Sequence, residues 1–171
     1  FPVTPYRLEP MSIIITSLVI APAVLSPQVG PYGLVNSSVG HTMTRVEAED
    51  FDGDGWPDLV TTSSRDGRLV LYRGLGGGQF DIGLELERAP FGLFDARAHD
   101  VDADGVLDLV FSRVGGIAWK RGLGTGAFAP TAQLFATTTT ADFELIDIDQ
   151  DGRLDLALRD TAAIRIAWGT G

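Results

Sequence analysis

Asp50, Asp52, Asp54 and Asp58 occupy positions 1, 3, 5 and 9 of the stretch Asp-Phe-Asp-Gly-Asp-Gly-Trp-Pro-Asp. The same spacing returns at Asp100, Asp102, Asp104 and Asp108, and again at Asp147, Asp149, Asp151 and Asp155. Alternate residues of a tight loop can turn their carboxylates to one side, which concentrates hard oxygen donors around a point. Calcium suits such a cluster, because it takes about six to eight oxygens at roughly 2.3–2.6 Å. Glycine at position 6 (Gly55, Gly105, Gly152) accepts the positive φ that a sharp turn needs. A main-chain carbonyl at position 7 (Trp56, Val106, Arg153) fills a gap in the shell, and the aspartate at position 9 closes it. Three Ca²⁺ sites are therefore expected.

An EF-hand shares the first half of this pattern but ends in a bidentate Glu at position 12 and a helix. Position 12 here is Thr61, Phe111 or Leu158. Short apolar runs such as Asp58-Leu-Val-Thr61 follow the loops, which favours strands after two of the three. The EF-hand and dockerin readings are excluded on these grounds.

The elements around the loops repeat as well. Loop starts lie 50 and 47 residues apart, a period expected of a propeller, solenoid or array. Each loop strand leads to a second strand (Leu69–Arg73, Ile117–Arg121, Ile164–Trp168). A glycine-rich turn follows, Gly74-Leu-Gly-Gly-Gly-Gln-Phe80, Gly122-Leu-Gly-Thr-Gly-Ala-Phe128 or Gly169-Thr-Gly171. About four short strands per unit is the content of one propeller blade. Residues 44–171 resemble the FG-GAP/VCBS repeat family, the calcium-loop β-propellers that include the integrin α-chain head. The resemblance implies an all-β chain of three four-stranded blades with Asp-rich calcium loops, at 45–94, 95–141 and a truncated 142–171. It departs from the family in having three loops and a third unit that stops before its Phe-containing strand.

Composition fits: 44% apolar residues, 21 glycines, nine prolines and no sustained helical periodicity. The net charge of −10 belongs to the loops, which hold 12 of the 23 acidic residues. Three divalent cations, carrying six charges, would bring it to −4. The acidity therefore implies no basic partner, and no basic patch marks a nucleic-acid footprint. Cysteine is absent, so no disulfide framework exists. Calcium sites acting as permanent staples suit the exterior of the cell, where dissociation constants up to roughly 10⁻⁴–10⁻³ M suffice. An extracellular or cell-surface location is expected.

Residues 1–44 carry no acidic loop. The apolar run from Met11 to Leu25 is broken by Pro22 and is too short for a membrane helix, which needs about 20 apolar residues. A signal-peptide core with Ala21-Pro-Ala23 as its cleavage site is the minority reading, because no Lys or Arg immediately precedes the run. Its β-branched residues favour strands, either a degenerate blade or a strand donated by Ser12–Ala21 to an open blade edge. Three blades do not close a ring of about four to eight. The ring is then incomplete within the chain, as in a piece of a longer protein, or it is completed by this segment or by other chains, and self-association through blade edges is expected.

Other signals are bland. Gly122-Leu-Gly-Thr-Gly-Ala127 fits a loose dinucleotide fingerprint, but no helix pattern follows. His41 and His99 read as packing or surface residues. Trp119 and Trp168 read as equivalent blade positions and repeated core packing. Asn36-Ser-Ser38 is a glycosylation sequon, and Thr137–Thr140 a connecting stretch or edge strand. No nucleophile constellation occurs, and every paired carboxylate that could do glycosidase work has a cation to hold. The chain reads as a non-enzymatic structural or adhesive module, or alternatively as a propeller that binds a glycan or protein.

Overall fold

A computed structural model describes residues 43–90, 92–137, 142–159 and 163–170. The apolar N-terminal segment, the sequon at Asn36, His41 and Thr138–Thr140 lie outside these residues. Eleven strands and no helix are found among them. Strands β1 (Arg45–Glu49), β2 (Asp58–Ser63), β3 (Arg68–Tyr72) and β4 (Leu84–Arg88) form an antiparallel sheet in sequential order. The second sheet repeats this with β5 (Leu93–His99), β6 (Asp108–Arg113), β7 (Gly116–Lys120) and β8 (Ala132–Ala136). In the third, β9 (Asp142–Ile146), β10 (Asp155–Arg159) and β11 (Ile164–Ala167) pair in order. These are blade-like meanders, and β5 begins two residues before the expected boundary at 95.

The middle strands explain the stacking. In β6, Leu109 and Phe111 face the first sheet while Val110 faces the third; in β7, Ala118 and Ile117 divide in the same way. Successive residues of a strand point to opposite faces, so a strand between two sheets must be apolar on both. The run Asp-Leu-Val-Phe-Ser is buried throughout for that reason. One core joins the first two sheets through Val60, Leu69, Leu71, Leu109 and Phe111. A second joins sheets two and three through Val110, Ile117, Phe143, Leu145, Leu156 and Leu158.

The first strands of successive sheets meet through ions. Arg45 pairs with Asp95 at 3.2 Å, and Arg97 joins Asp95 at 3.3 Å to Glu144 at 3.2 Å. Burial pushes the Asp95 carboxyl up, and Glu144 and Asp142 add to that; Arg45 and the Ala96 N–H oppose it without prevailing. On the opposite side of the sheets, the chain's single lysine, Lys120, is 8% exposed and pairs with Glu87 of β4 at 3.3 Å.

Register corrects one expectation. Trp119 lies opposite Val110, whereas Ile166 holds the matching place opposite Ala157. Trp168 is therefore the counterpart of Arg121, and of Arg73 in the first sheet. Trp119 packs against the second core, but Trp168 is 54% exposed. Two tryptophans in similar runs are misaligned by two residues when only the apolar pattern is compared.

Candidate metal centre

Each acidic loop links the first strand of a sheet to the second: Asp50–Asp58 joins β1 to β2, Asp100–Asp108 joins β5 to β6, and Asp147–Asp155 joins β9 to β10. The loops close on themselves by the same bonds. The position-1 carboxylate accepts the N–H of the position-6 glycine, at 2.9 Å for Asp50, 2.8 Å for Asp100 and 2.9 Å for Asp147. Position 5 accepts the N–H of position 7, from Trp56, Val106 and Arg153, at 2.8, 2.9 and 2.9 Å. These N–H groups aim at carboxylates, which leaves the main-chain carbonyls as the donors that position 7 has for a cation.

Position 9 is the first residue of the second strand and is almost wholly buried in all three cases. One oxygen of Asp58, Asp108 and Asp155 accepts the N–H of position 2 (Phe51, Val101, Ile148) at 3.0, 3.0 and 2.9 Å. The other accepts the N–H of Gly74, Gly122 or Gly169, at 2.8 Å each. Those glycines are obligatory by space. A Cβ at Gly122 would sit 2.1 Å from the Leu107 carbonyl oxygen, and at Gly74 2.3 Å from that of Pro57. The buried aspartate thus ties the loop to the end of the third strand as well as facing the other carboxylates of its loop.

One carboxylate oxygen from each of positions 1, 3 and 9 converges within 4.8 Å, in the triads Asp50/Asp52/Asp58, Asp100/Asp102/Asp108 and Asp147/Asp149/Asp155. That spread is at most about twice a calcium–oxygen distance, so the three oxygens could hold one ion among them. The triads do not include Asp54, Asp104 or Asp151, which the spacing placed on the same footing. The carboxyls of Asp58 and Asp108 are pushed up, first by burial and then by the two neighbouring carboxylates of their loops, against the opposing N–H bonds. Accumulated negative charge of this kind is what a divalent cation relieves. At Asp155 the Gly169 and Ile148 N–H groups outweigh burial and hold the carboxyl below its usual range.

Position 6 has the expected left-handed backbone, with φ of 89°, 84° and 88° at Gly55, Gly105 and Gly152. Position 4 has it too: Gly53 at 75°, Ala103 at 59° and Gln150 at 63°. Only Gly53 gave a sign of this in the sequence.

Cationic neighbours differ from loop to loop. Arg121 straddles the second loop, with Nε 2.7 Å from Asp102 and Nη2 2.6 Å from Asp104. Its equivalent Arg73 instead donates to the Thr125 carbonyl at 3.1 Å, in the glycine turn of the next sheet. That turn sits on the first loop: the Gly126 N–H donates to Phe51 O at 3.0 Å, and the Phe51 and Phe128 rings meet edge to face at 5.7 Å. Arg153 stands 3.4 Å from Asp151 in the third loop. His99 lies in register with Asp108 at the end of β5.

Comparison with known proteins gives three findings. A search of curated proteins finds no match. The chain is similar to the structure of an Agrocybe aegerita lectin, described as recognising non-reducing terminal N-acetylglucosamine, with 17% identity and a TM-score of 0.57. The match covers 76% of this chain and 37% of the lectin, so the chain spans little more than a third of that structure. The profile of the FG-GAP-like repeat matches residues 50–111 and again 100–158, each match running from one acidic loop into the strand after the next. The chain belongs to the FG-GAP-like repeat family.

Proposed function

We propose that this chain is a calcium-stabilised propeller module of an extracellular structural or adhesive protein, without catalytic activity of its own. The observation that carries the reading is the convergence of three like triads, each at the junction of two strands and tied to the end of a third. An ion held there fixes blade geometry. Hard carboxylate and carbonyl donors at this spread favour calcium over magnesium, which demands about 2.0–2.1 Å and near-ideal octahedra. Differential scanning calorimetry tests this: melting several degrees higher in millimolar calcium than in chelator is expected, and identical melting overturns it. Screens against glycosides, esters and peptides should find no turnover; a turnover lost in Asp→Asn loop variants that keep their fold would refute the non-catalytic half.

Assembly belongs to the same reading. From sequence alone, since Ser12–Ala21 lies outside the described residues, we infer that this β-branched segment is a donor strand for a blade edge of its own or a neighbouring chain. Deleting residues 1–25 should abolish assembly and the synthetic segment should restore it; a truncated chain as stable and as associated as the parent would reduce the segment to a tail.

The second reading, glycan recognition, is favoured by the lectin with a similar fold. Saturable binding on a glycan array by the monomer would support it over the structural role.

A further inference from the structure

We propose that Arg121 is a built-in counter-ion of the second loop, which makes the three loops take up calcium at different concentrations, the first loop first and the second last. The inference rests on the calcium reading above and concerns how those sites are ranked.

The loops share their main-chain bonds and their triads but not their surroundings. In the second, both Asp104 oxygens are engaged, Oδ1 by the Val106 N–H at 2.9 Å and Oδ2 by Arg121 at 2.6 Å. The same guanidinium holds Asp102 Oδ2, and Asp102 belongs to the convergent triad. A cation entering this loop must share or displace a charge already in place. Among the described residues no ion pair reaches Asp50, Asp52 or Asp54, because Arg73 is directed to the neighbouring glycine turn. The third loop is intermediate: its Arg153 pairs singly and at longer range, and Trp168 stands where Arg121 does in the second.

Half-exposed guanidinium pairs are screened, so the ranking is one of modest factors, roughly three- to fivefold in midpoint. The arginine also has an opposite effect without calcium, when it neutralises a loop that otherwise repels itself. Removing Arg121 should then weaken the calcium-free protein and strengthen calcium uptake, a reversal that a merely structural arginine would not give.

Amide hydrogen exchange of the full chain across a calcium titration reads each loop separately. Protection is expected to develop first in Asp50–Asp58, then in Asp147–Asp155, and last in Asp100–Asp108. In Arg121→Gln the second-loop midpoint should fall roughly three- to fivefold while the other two stay. Melting in chelator should fall slightly, and Arg121→Lys should behave like the parent. Arg73→Gln should leave the first-loop midpoint in place. An unchanged or raised second-loop midpoint in Arg121→Gln, with calcium protection intact elsewhere, overturns the role of Arg121 alone. Calcium that protects none of the loops overturns this proposal together with the calcium reading.

Discussion

Asp104 and Asp108 stand four residues apart in one loop but hold different things. Asp108 accepts N–H groups from Val101 and Gly122 in the buried floor, whereas Asp104 faces Arg121 at the surface. Asp108→Ala strands two buried donors and should cost about 2–5 kcal/mol by denaturant titration even in chelator. Asp104→Ala should leave the chelator midpoint almost unchanged and show its cost only in calcium. No loss for Asp108→Ala in chelator would show that position 9 has no structural duty beyond the ion. Gly122→Ala attacks the same tie from the other side: with 2.1 Å to the Leu107 oxygen, backbone must shift, at about 1–3 kcal/mol. Asp95 supplies the pH test. Its folded carboxyl is raised, so the native state holds that proton more tightly than the unfolded chain. The resulting stability is present below the ordinary carboxylate value and lost as pH rises through the folded one. Measured against Asp95→Asn, the parent should therefore lose ground as pH rises from the ordinary carboxylate range through the raised folded value. A parent that gains over that window would mean that Arg45 and Arg97 dominate burial.

At the scale of elements, the middle strands hold neighbouring sheets together, and β6 does so on both faces. Phe111 is fully buried against the first sheet, so Phe111→Ala should cost about 3–5 kcal/mol. Lys120 on β7 is shielded by its pairing with Glu87, and amine-reactive labelling followed by peptide mapping should find it slow to react until the chain unfolds. Rapid labelling of the native chain would show that the two sheets part there. These strands were legible because composition and burial agree: a strand apolar on both faces, preceded by an acidic loop and followed by glycine, has few other ways to fold. The loops were legible for the same reason, their bonds being local. Pairing was not. The register shifts that skip Leu86 of β4 and Leu134 of β8 come at equivalent places, yet no residue type marks them. The misalignment of Trp168 and the reach of Arg121 across Asp102 and Asp104 have the same source. They depend on which residues of the next strand or turn lie opposite, and an apolar pattern leaves that open by two residues.

For the whole molecule, the proposed calcium sites and the proposed assembly would be linked through the stacking of repeats. The glycine turn of the second repeat rests on the first acidic loop through Gly126, Arg73 and the Phe51–Phe128 contact, so ordering one loop steadies the sheet after it. Repeat proteins add stability through such neighbour interfaces, and an arc of blades gains most when each has a neighbour on both flanks. The chain spans about a third of the similar lectin, and the third sheet exposes Ile146, Ile164 and Trp168 at 53%, 78% and 54%. Exposed apolar side chains on an end sheet are suited to burial against further blades. Sedimentation of the 18.3 kDa chain should accordingly give a particle of several copies in calcium, shifting toward smaller species in chelator as the loops lose their ions. Asp50→Asn should shift it in the same direction even in calcium, because the first loop carries the seat of the second repeat. A strict monomer in calcium, with the same melting behaviour at every protein concentration, would remove self-assembly from the proposed function and leave a calcium-stiffened arc that acts alone.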